Sequence, residues 1–249
     1  MVVPAGGPRR RSLADPDAEG AGARRGQPAG TRRDTETETE PMTHQHVVFD
    51  IGKVLIHYDP HIPFRDIIPS DERRQFFLDE VCSHDWNLEQ DRGRPWEDAE
   101  AEAISRHPQM AEEIRAFRRN WHRMVPHAYE GSVALLHGLI DVGVDVTLLT
   151  NFASDTFREA QAKFPFLTAT RGVTVSGDIR LIKPDPAIYE HHARSFDLAP
   201  ERTLFIDDNR ANVDAARAAG WHAIHFIDPD QLAQDLAAEG LPVEAAGRP

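Results

Sequence analysis

The chain has 249 residues, 40% hydrophobic and 28% charged, with 41 Asp and Glu against 28 Lys and Arg for a formal net charge of −13. These values exclude a collagen-like chain, a disordered tail protein and a disulfide-stapled scaffold, since the single cysteine, Cys82, cannot form an internal bridge. No apolar run reaches the ~18 residues of a membrane helix, and the acidic balance argues against nucleic acid or anionic membrane as the main partner, so the expectation is a soluble, cytoplasmic protein.

Residues 1–41 carry almost no aliphatic side chains, and their seven arginines balance seven acids. Such a stretch cannot bury enough apolar surface to offset its ordering entropy, and it lacks the apolar run of a secretory signal. It reads as a disordered extension, or as a start assigned too far upstream, because Met42 directly precedes the first strand-like run.

From Val47 onward the pattern becomes regular. VVFD (47–50), VDVTLLTN (144–151), VTVSGD (173–178), TLFIDDN (203–209) and HAIHF (222–226) read as short buried strands. Between the later ones lie the amphipathic stretches 185–196 and 209–220, the second closed by Gly220. Apolar strands alternating with helices predict an α/β fold, a doubly wound parallel sheet with helices on both faces. About a hundred residues separate the first strand from the second. Within them 71–88, 96–108 and 110–125 read as helices, and 131–143 as an ordinary crossover helix. The predicted organisation is a core of residues 42–61 and 130–249, with residues 62–129 as a helical cap over the strand edge. Trp86, Trp96, Phe117 and Trp121 are assigned to the core of that insertion. The polar, basic DRGRP stretch (91–95) reads equally as a substrate-facing loop or a surface turn.

In parallel sheets ligands bind beyond the carboxyl ends of the strands. The residues leaving those ends are Asp50, Thr150, Asn151, Asp207 and Asp208, with Lys183 before the helix that opens at KPDP. An aspartate can act as a nucleophile that splits a displacement into two steps. Facing carboxylates need a hard cation such as Mg²⁺, and a lysine with small donors can stabilise charge on a transferring group. Each residue alone has an ordinary structural explanation: a strand-end acid, a helix N-cap, a turn, a solvated lysine. Together, in order and all at strand ends, they point to phosphoryl transfer through an aspartyl-phosphate.

The succession FDIGKVL, LLTN, KPDPAIY and FIDDNRAN resembles the four motifs of the haloacid dehalogenase (HAD) superfamily, over about residues 46–227. The insertion stands where that family carries its type-1 cap. The glycine two residues after the nucleophile and the FIDDN run are similar to the branch containing α-D-glucose-1-phosphate phosphatase. The resemblance implies a HAD-like Rossmannoid core, with Asp50 as nucleophile and Mg²⁺ ligand, and with the Gly52 carbonyl and Asp208 as further ligands. It also implies Thr150 and Asn151 on the phosphoryl oxygens, Lys183 neutralising nucleophile and phosphate, and Asp207 as an additional or water-mediated ligand. The implied activity is Mg²⁺-dependent hydrolysis of small phosphorylated metabolites, sugar phosphates among them.

Three positions depart from the pattern. Gly52 replaces the aspartate that serves most phosphatases of the superfamily as general acid and base, a role worth roughly 10²–10⁴ in rate. Lys53 stands where a small or amide residue is usual, and Asn212 where many members have an aspartate. Two alternatives follow. One is a metal-independent 2-haloacid dehalogenase, whose Lys, Tyr and Asn positions match Lys183, Tyr189 and Asn209, although the Asp207–Asp208 pair would repel an anionic haloacid. The other is a catalytically weak HAD-fold binding protein. The physiological substrate and the oligomeric state carry no sequence signal.

Overall fold

The computed structural model describes residues 44–242, so the reading of residues 1–41 as a disordered extension lies outside the described residues. Five strands appear where apolar, β-branched runs predict them: β1 (His46–Phe49), β2 (Asp145–Thr150), β3 (Val173–Val175), β4 (Thr203–Asp207) and β5 (His222–His225). All pair in parallel in the order β3-β2-β1-β4-β5. β1 lies at the centre, with His46 opposite Asp145 and Thr203, and Phe49 opposite Leu148 and Ile206. The strand order reverses between β1 and β4, so their carboxyl ends flank the crevice where such sheets take ligands.

Twelve α-helices accompany the strands among the described residues. Between β1 and β2 come α1 (His61–Ile67), α2 (Asp71–Phe76), α3 (His84–Asp91), α4 (Trp96–Arg106), α5 (Ala111–Arg119), α6 (Trp121–Met124) and α7 (Glu130–Asp141). Then follow α8 (Ser154–Lys163), the short α9 (Ser176–Ile179), α10 (Pro186–Phe196), α11 (Arg210–Ala218) and α12 (Pro229–Ala238). Alternate residues of the strands serve opposite faces. Val47, Phe49, Leu148 and Ile206 pack with Leu136, Leu139, Leu232 and Leu236 from α7 and α12. Val48, Leu149 and Phe205 pack with Ile188 and Tyr189 of α10 and Ala216 of α11. The sheet is covered on both sides, which is why its strands read as continuous apolar runs. Among the described residues no helix is long and apolar enough to cross a membrane.

Three expected elements differ. The run 71–88 is not one helix: a π-helical turn, Phe77–Val81, follows α2, and the chain breaks at Cys82 before Ser83 caps α3 by accepting from the Trp86 N–H. The run 110–125 breaks at Asn120, whose side chain turns back to donate to the Ala116 carbonyl. β3 stops at Val175, because the Ser176 hydroxyl accepts from the Phe152 N–H (2.8 Å) and donates to the Asp91 carbonyl (2.6 Å), which bends the chain into α9.

The helices α1–α6 form an insertion whose two connections to the sheet run side by side. The His57 N–H donates to the His127 carbonyl (3.0 Å), Asp59 to Met124 (2.8 Å) and Tyr129 to Leu55 (2.9 Å). The His57 and His127 rings stack at 5.0 Å. Within the insertion Phe64, Phe77, Trp86 and Phe117 make an aromatic core, with ring centroids 4.8–5.9 Å apart, to which the sequence assigns Trp86 and Phe117. Trp96 and Trp121 do more than that: Trp121 packs edge-on against Phe152 of the core, and both line the cavity at the strand ends.

Candidate active site

A cavity of about 280 Å³ lies between the carboxyl ends of the strands and the insertion. The strand ends and the turns that follow contribute Asp50, Gly52, Thr150, Asn151, Lys183 and Asp208 to its lining. Asp207 does not line it but lies directly behind.

Three carboxylates, Asp50, Asp207 and Asp208, place oxygens within 4.8 Å of one another. Lys183 is buried among them and uses all three of its protons, donating to Asp50 Oδ1 (2.8 Å), Asp207 Oδ2 (2.7 Å) and the Leu149 carbonyl (3.1 Å). Its position is fixed by Asn151, whose side chain accepts from the Lys183 N–H (2.8 Å) and donates to the Lys183 carbonyl (2.9 Å). The helix after the KPDP run starts later than expected, at Pro186, capped by Asp185, which leaves Lys183 in the preceding turn.

The two adjacent acids differ in kind. Asp207 is saturated by protein donors: Lys183, the Asn209 N–H (2.8 Å) and the Asn212 side chain (3.0 and 3.1 Å to its two oxygens). Asn212 thus occupies its unusual position as a donor to Asp207. Asp208 offers its carboxylate to the cavity with no protein hydrogen-bond donor among the described side chains, while His225 meets its main-chain carbonyl at 2.9 Å. Asn209, not the acidic pair, caps α11.

Electrostatics reflect this crowding. Burial raises the Asp50 carboxyl most; Lys183 pulls it down, Asp207 and Asp208 push it up, and the result is about 7. Burial and then Asp207 also raise Asp208, against Lys53 and Lys183. Burial opposes the charge on Lys183, but Asp207 and Asp50 outweigh it and hold the ammonium above its ordinary range. Three carboxylates facing one buried ammonium leave an excess of negative charge on hard oxygen donors, which is the donor set that suits Mg²⁺. Asp50 and Asp208 present carboxylates to the cavity, and Gly52 lines it beside them.

Gly52 has an ordinary backbone conformation, and a Cβ built there would meet nothing within 4 Å. The left-handed residue of this turn is Lys53, with φ +58°. Lys53 is exposed at the cavity mouth, and its attraction lowers Asp208.

The basic residues of the DRGRP stretch do not face the cavity: Arg94 pairs with Glu102 and Arg92 with Glu89. Its acid does. Asp91, at the end of α3, lines the cavity from the insertion side. The sequence reading of 91–95 as a substrate-facing loop or a surface turn includes this acid without singling it out, for nothing marks one acid in an acidic helix. Tyr189 does not line the cavity, whereas Asn209 lines it while its side-chain oxygen caps α11. The Tyr189 hydroxyl is buried and donates to the Asn212 carbonyl (2.9 Å), and the Asn209 side chain accepts from the Ala211 N–H.

Known proteins resemble this chain to different degrees. A sesquiterpene phosphatase of Aspergillus oryzae is 28% identical over 197 residues, covering 75% of this chain and 91% of that protein. A HAD family enzyme from Bacteroides thetaiotaomicron, solved in complex with magnesium and inorganic phosphate, superposes with a TM-score of 0.57 at 21% identity, over 74% of this chain and 95% of the other. An L-2-haloacid dehalogenase from Xanthobacter autotrophicus, with chloropropionic acid covalently bound, gives 0.56 at 16% identity, over 80% and 85%. None of these three is named as a glucose-1-phosphate phosphatase, so the likeness to that branch goes no further than its motifs. Residues 88–226 match the family model of haloacid dehalogenase-like hydrolases, and with the parallel sheet and its strand-end acids they establish that the chain belongs to the haloacid dehalogenase-like hydrolase family.

Proposed function

We propose that the protein is a Mg²⁺-dependent phosphohydrolase of small phosphorylated metabolites, acting through an aspartyl-phosphate on Asp50. The observation that carries this reading is the pairing of Asp50 with buried Lys183 at 2.8 Å, beside the unpartnered carboxylate of Asp208, all at one cavity. In this mechanism Asp50 attacks phosphorus and the phosphate ester bond breaks. Water then attacks the aspartyl-phosphate and returns the carboxylate. Lys183 favours the ionised form of Asp50 and orients it, Asp207 and Asn151 hold Lys183 in place, and Thr150 and Asn151 border the phosphoryl oxygens. Asp50, the Gly52 carbonyl and Asp208 would hold the Mg²⁺, which when bound neutralises these carboxylates and the charge on the transferring group. The helices of residues 62–129 act as the cap that shields this chemistry from water.

The apolar wall formed by Leu88, Trp96, Trp121, Val125 and Phe152 supports substrates whose organic part is apolar or ring-bearing. The Aspergillus phosphatase agrees with a phosphate ester as substrate. Against the dehalogenase alternative stand the Asp207–Asp208 pair and the engagement of the buried Tyr189 hydroxyl with the Asn212 carbonyl.

The test is a screen of phosphate monoesters, sugar phosphates and an isoprenyl phosphate included, with Mg²⁺ and with chelator, beside a 2-haloacid control. Turnover of one or more esters in Mg²⁺ only is expected, and Asp50→Asn should abolish it with the unfolding midpoint preserved. Haloacid turnover in chelator, or near-normal phosphatase activity in the variant, would refute the reading.

A further inference from the structure

Gly52 leaves the site without the carboxyl that would protonate a leaving oxygen, and the cavity contains one that the mechanism so far does not use. Asp91 projects from the end of α3, on the insertion side of the cavity. In-line displacement at phosphorus by Asp50 expels the leaving oxygen on the side away from the sheet, toward the insertion.

Asp91 is also held, not merely nearby. Asn87 donates to its Oδ2 (3.2 Å), and the Ala153 main chain lies near enough to lower its carboxyl. Its own carbonyl accepts from Ser176, which also takes the Phe152 N–H. Two residues on, Gly93 has φ +94° and approaches so closely that a Cβ there would lie 2.9 Å from the Gly177 carbonyl oxygen. The end of α3 is therefore pinned to the loop that follows Thr150 and Asn151, and Asp91 shares the rigidity of the sheet side of the site.

We infer that Asp91 is the general acid and base of this enzyme, supplying from the insertion the proton transfer that Gly52 cannot. This inference rests on the phosphohydrolase reading. In the first step Asp50 Oδ bonds to phosphorus, the bond from phosphorus to the leaving oxygen breaks, and the Asp91 carboxyl gives that oxygen its proton. In the second, the Asp91 carboxylate takes a proton from water, and the water oxygen bonds to phosphorus. The bond to Asp50 then breaks, inorganic phosphate leaves, and Asp91 is again a neutral acid.

The charges around Asp91 suit both roles. Burial raises its carboxyl most, the Ala153 main chain opposes, repulsion from Asp50 adds, and the group stands at about 7. The other titratable groups on this cavity are Lys53, Tyr58, His84, Lys183 and Asp208. Lys183 has no free proton to give, and the Tyr58 hydroxyl is held well above its usual range by burial, with Asp91 and Asp59 adding to it, so it cannot serve as the base.

The experiment compares wild type, Asp91→Asn and Asp91→Asn/Gly52→Asp in Mg²⁺. The substrates are a series of phosphate monoesters from p-nitrophenyl phosphate to simple alkyl phosphates, each of whose kcat/KM is measured. Asp91→Asn keeps an acceptor for Asn87 and is expected to lose roughly 10²–10⁴ on alkyl esters. On p-nitrophenyl phosphate, which needs no acid, its kcat/KM should fall less than about tenfold while a burst of nitrophenol, one per enzyme, reveals slow hydrolysis of the aspartyl-phosphate. Gly52→Asp, for which the turn has room, is expected to recover part of the alkyl activity in the double variant. A loss equal across the series without a burst, or no loss at all, in a folded variant would overturn the role of Asp91 while leaving the phosphohydrolase intact. Absence of turnover of every ester by wild type would instead overturn the reading on which it rests.

Discussion

The contrast between Asp207 and Asp208 makes the metal requirement measurable as stability. Asp208→Asn removes the one carboxylate of the three that has no side-chain donor among the described residues, leaving the bonds of Asp207 and Lys183 in place. Two unit charges no more than 4.8 Å apart repel by about 3.5 kcal/mol or more at an effective dielectric near 20. Asp208 faces two such neighbours, but Lys183 and Lys53 cancel much of that, and solvent screens its partly exposed carboxylate. A net relief of about 1 kcal/mol is a reasonable working figure, which corresponds to roughly 2–4 °C in Tm for a domain of this size. In chelator the variant should therefore melt higher than wild type. In Mg²⁺ the order should invert. An ion at a hundred times its Kd stabilises the native chain by about 2.7 kcal/mol, which wild type gains and the variant largely forgoes. Differential scanning calorimetry of both proteins in EDTA and in MgCl₂, with calorimetric Mg²⁺ titrations, reads both effects. A variant that melts lower in EDTA, or gains as much as wild type from Mg²⁺, would show that Asp208 neither suffers the repulsion nor binds the ion.

Two further expectations concern the same cavity. Asp50 and Asp91 both stand at about 7 in the folded chain against 3.8 ordinarily, so between those values the native state binds more protons than the unfolded one. Stability in chelator should accordingly fall as pH rises from about 4 to about 7 and level off above; Tm against pH in EDTA tests this, and Asp91→Asn should show a shallower fall. Lys53→Asn should raise Tm in Mg²⁺ by a few degrees, since a left-handed conformation costs a lysine about 1–2 kcal/mol and asparagine tolerates it better. An unchanged or lower midpoint would show that the lysine's attraction for Asp208 outweighs its backbone strain.

Much of this architecture was legible in the chain because its sheet is buried on both faces. VVFD, TLLTN and TLFIDDN are apolar until the strand ends and polar immediately after, so the strands and their functional termini are marked by the same boundary. The insertion was less legible, since its breaks at Cys82–Ser83 and Asn120 come from single side-chain contacts to the backbone rather than from any lapse in periodicity. α8 and α12 were not anticipated at all. Asp91 was illegible for another reason. Its placement depends on Ser176, 85 residues away in sequence, and on the close approach of Gly93 to Gly177, neither of which leaves a trace in local composition. The role expected for Asn151 also changes emphasis, since both ends of its amide are engaged by the backbone of Lys183.

The paired connections between sheet and insertion have a consequence beyond catalysis. The outgoing chain at His57 and the returning chain at His127 are one hydrogen bond apart, zipped by three main-chain contacts and a stacked ring pair. Seen from the sheet, the intervening segment is a loop whose ends already meet, so its length adds only logarithmically to the entropy of closing it. A graft at this ribbon, exchanging everything between His57 and His127 for the corresponding segment of a relative, would leave the strand register untouched. The wall that meets the substrate's organic part is thus a replaceable cassette, whereas the phosphoryl-side residues belong to the sheet and stay. If Asp91 serves as inferred, such an exchange carries the proton donor away with the wall, and the recipient would need an aspartate at position 52 to keep turning over alkyl esters.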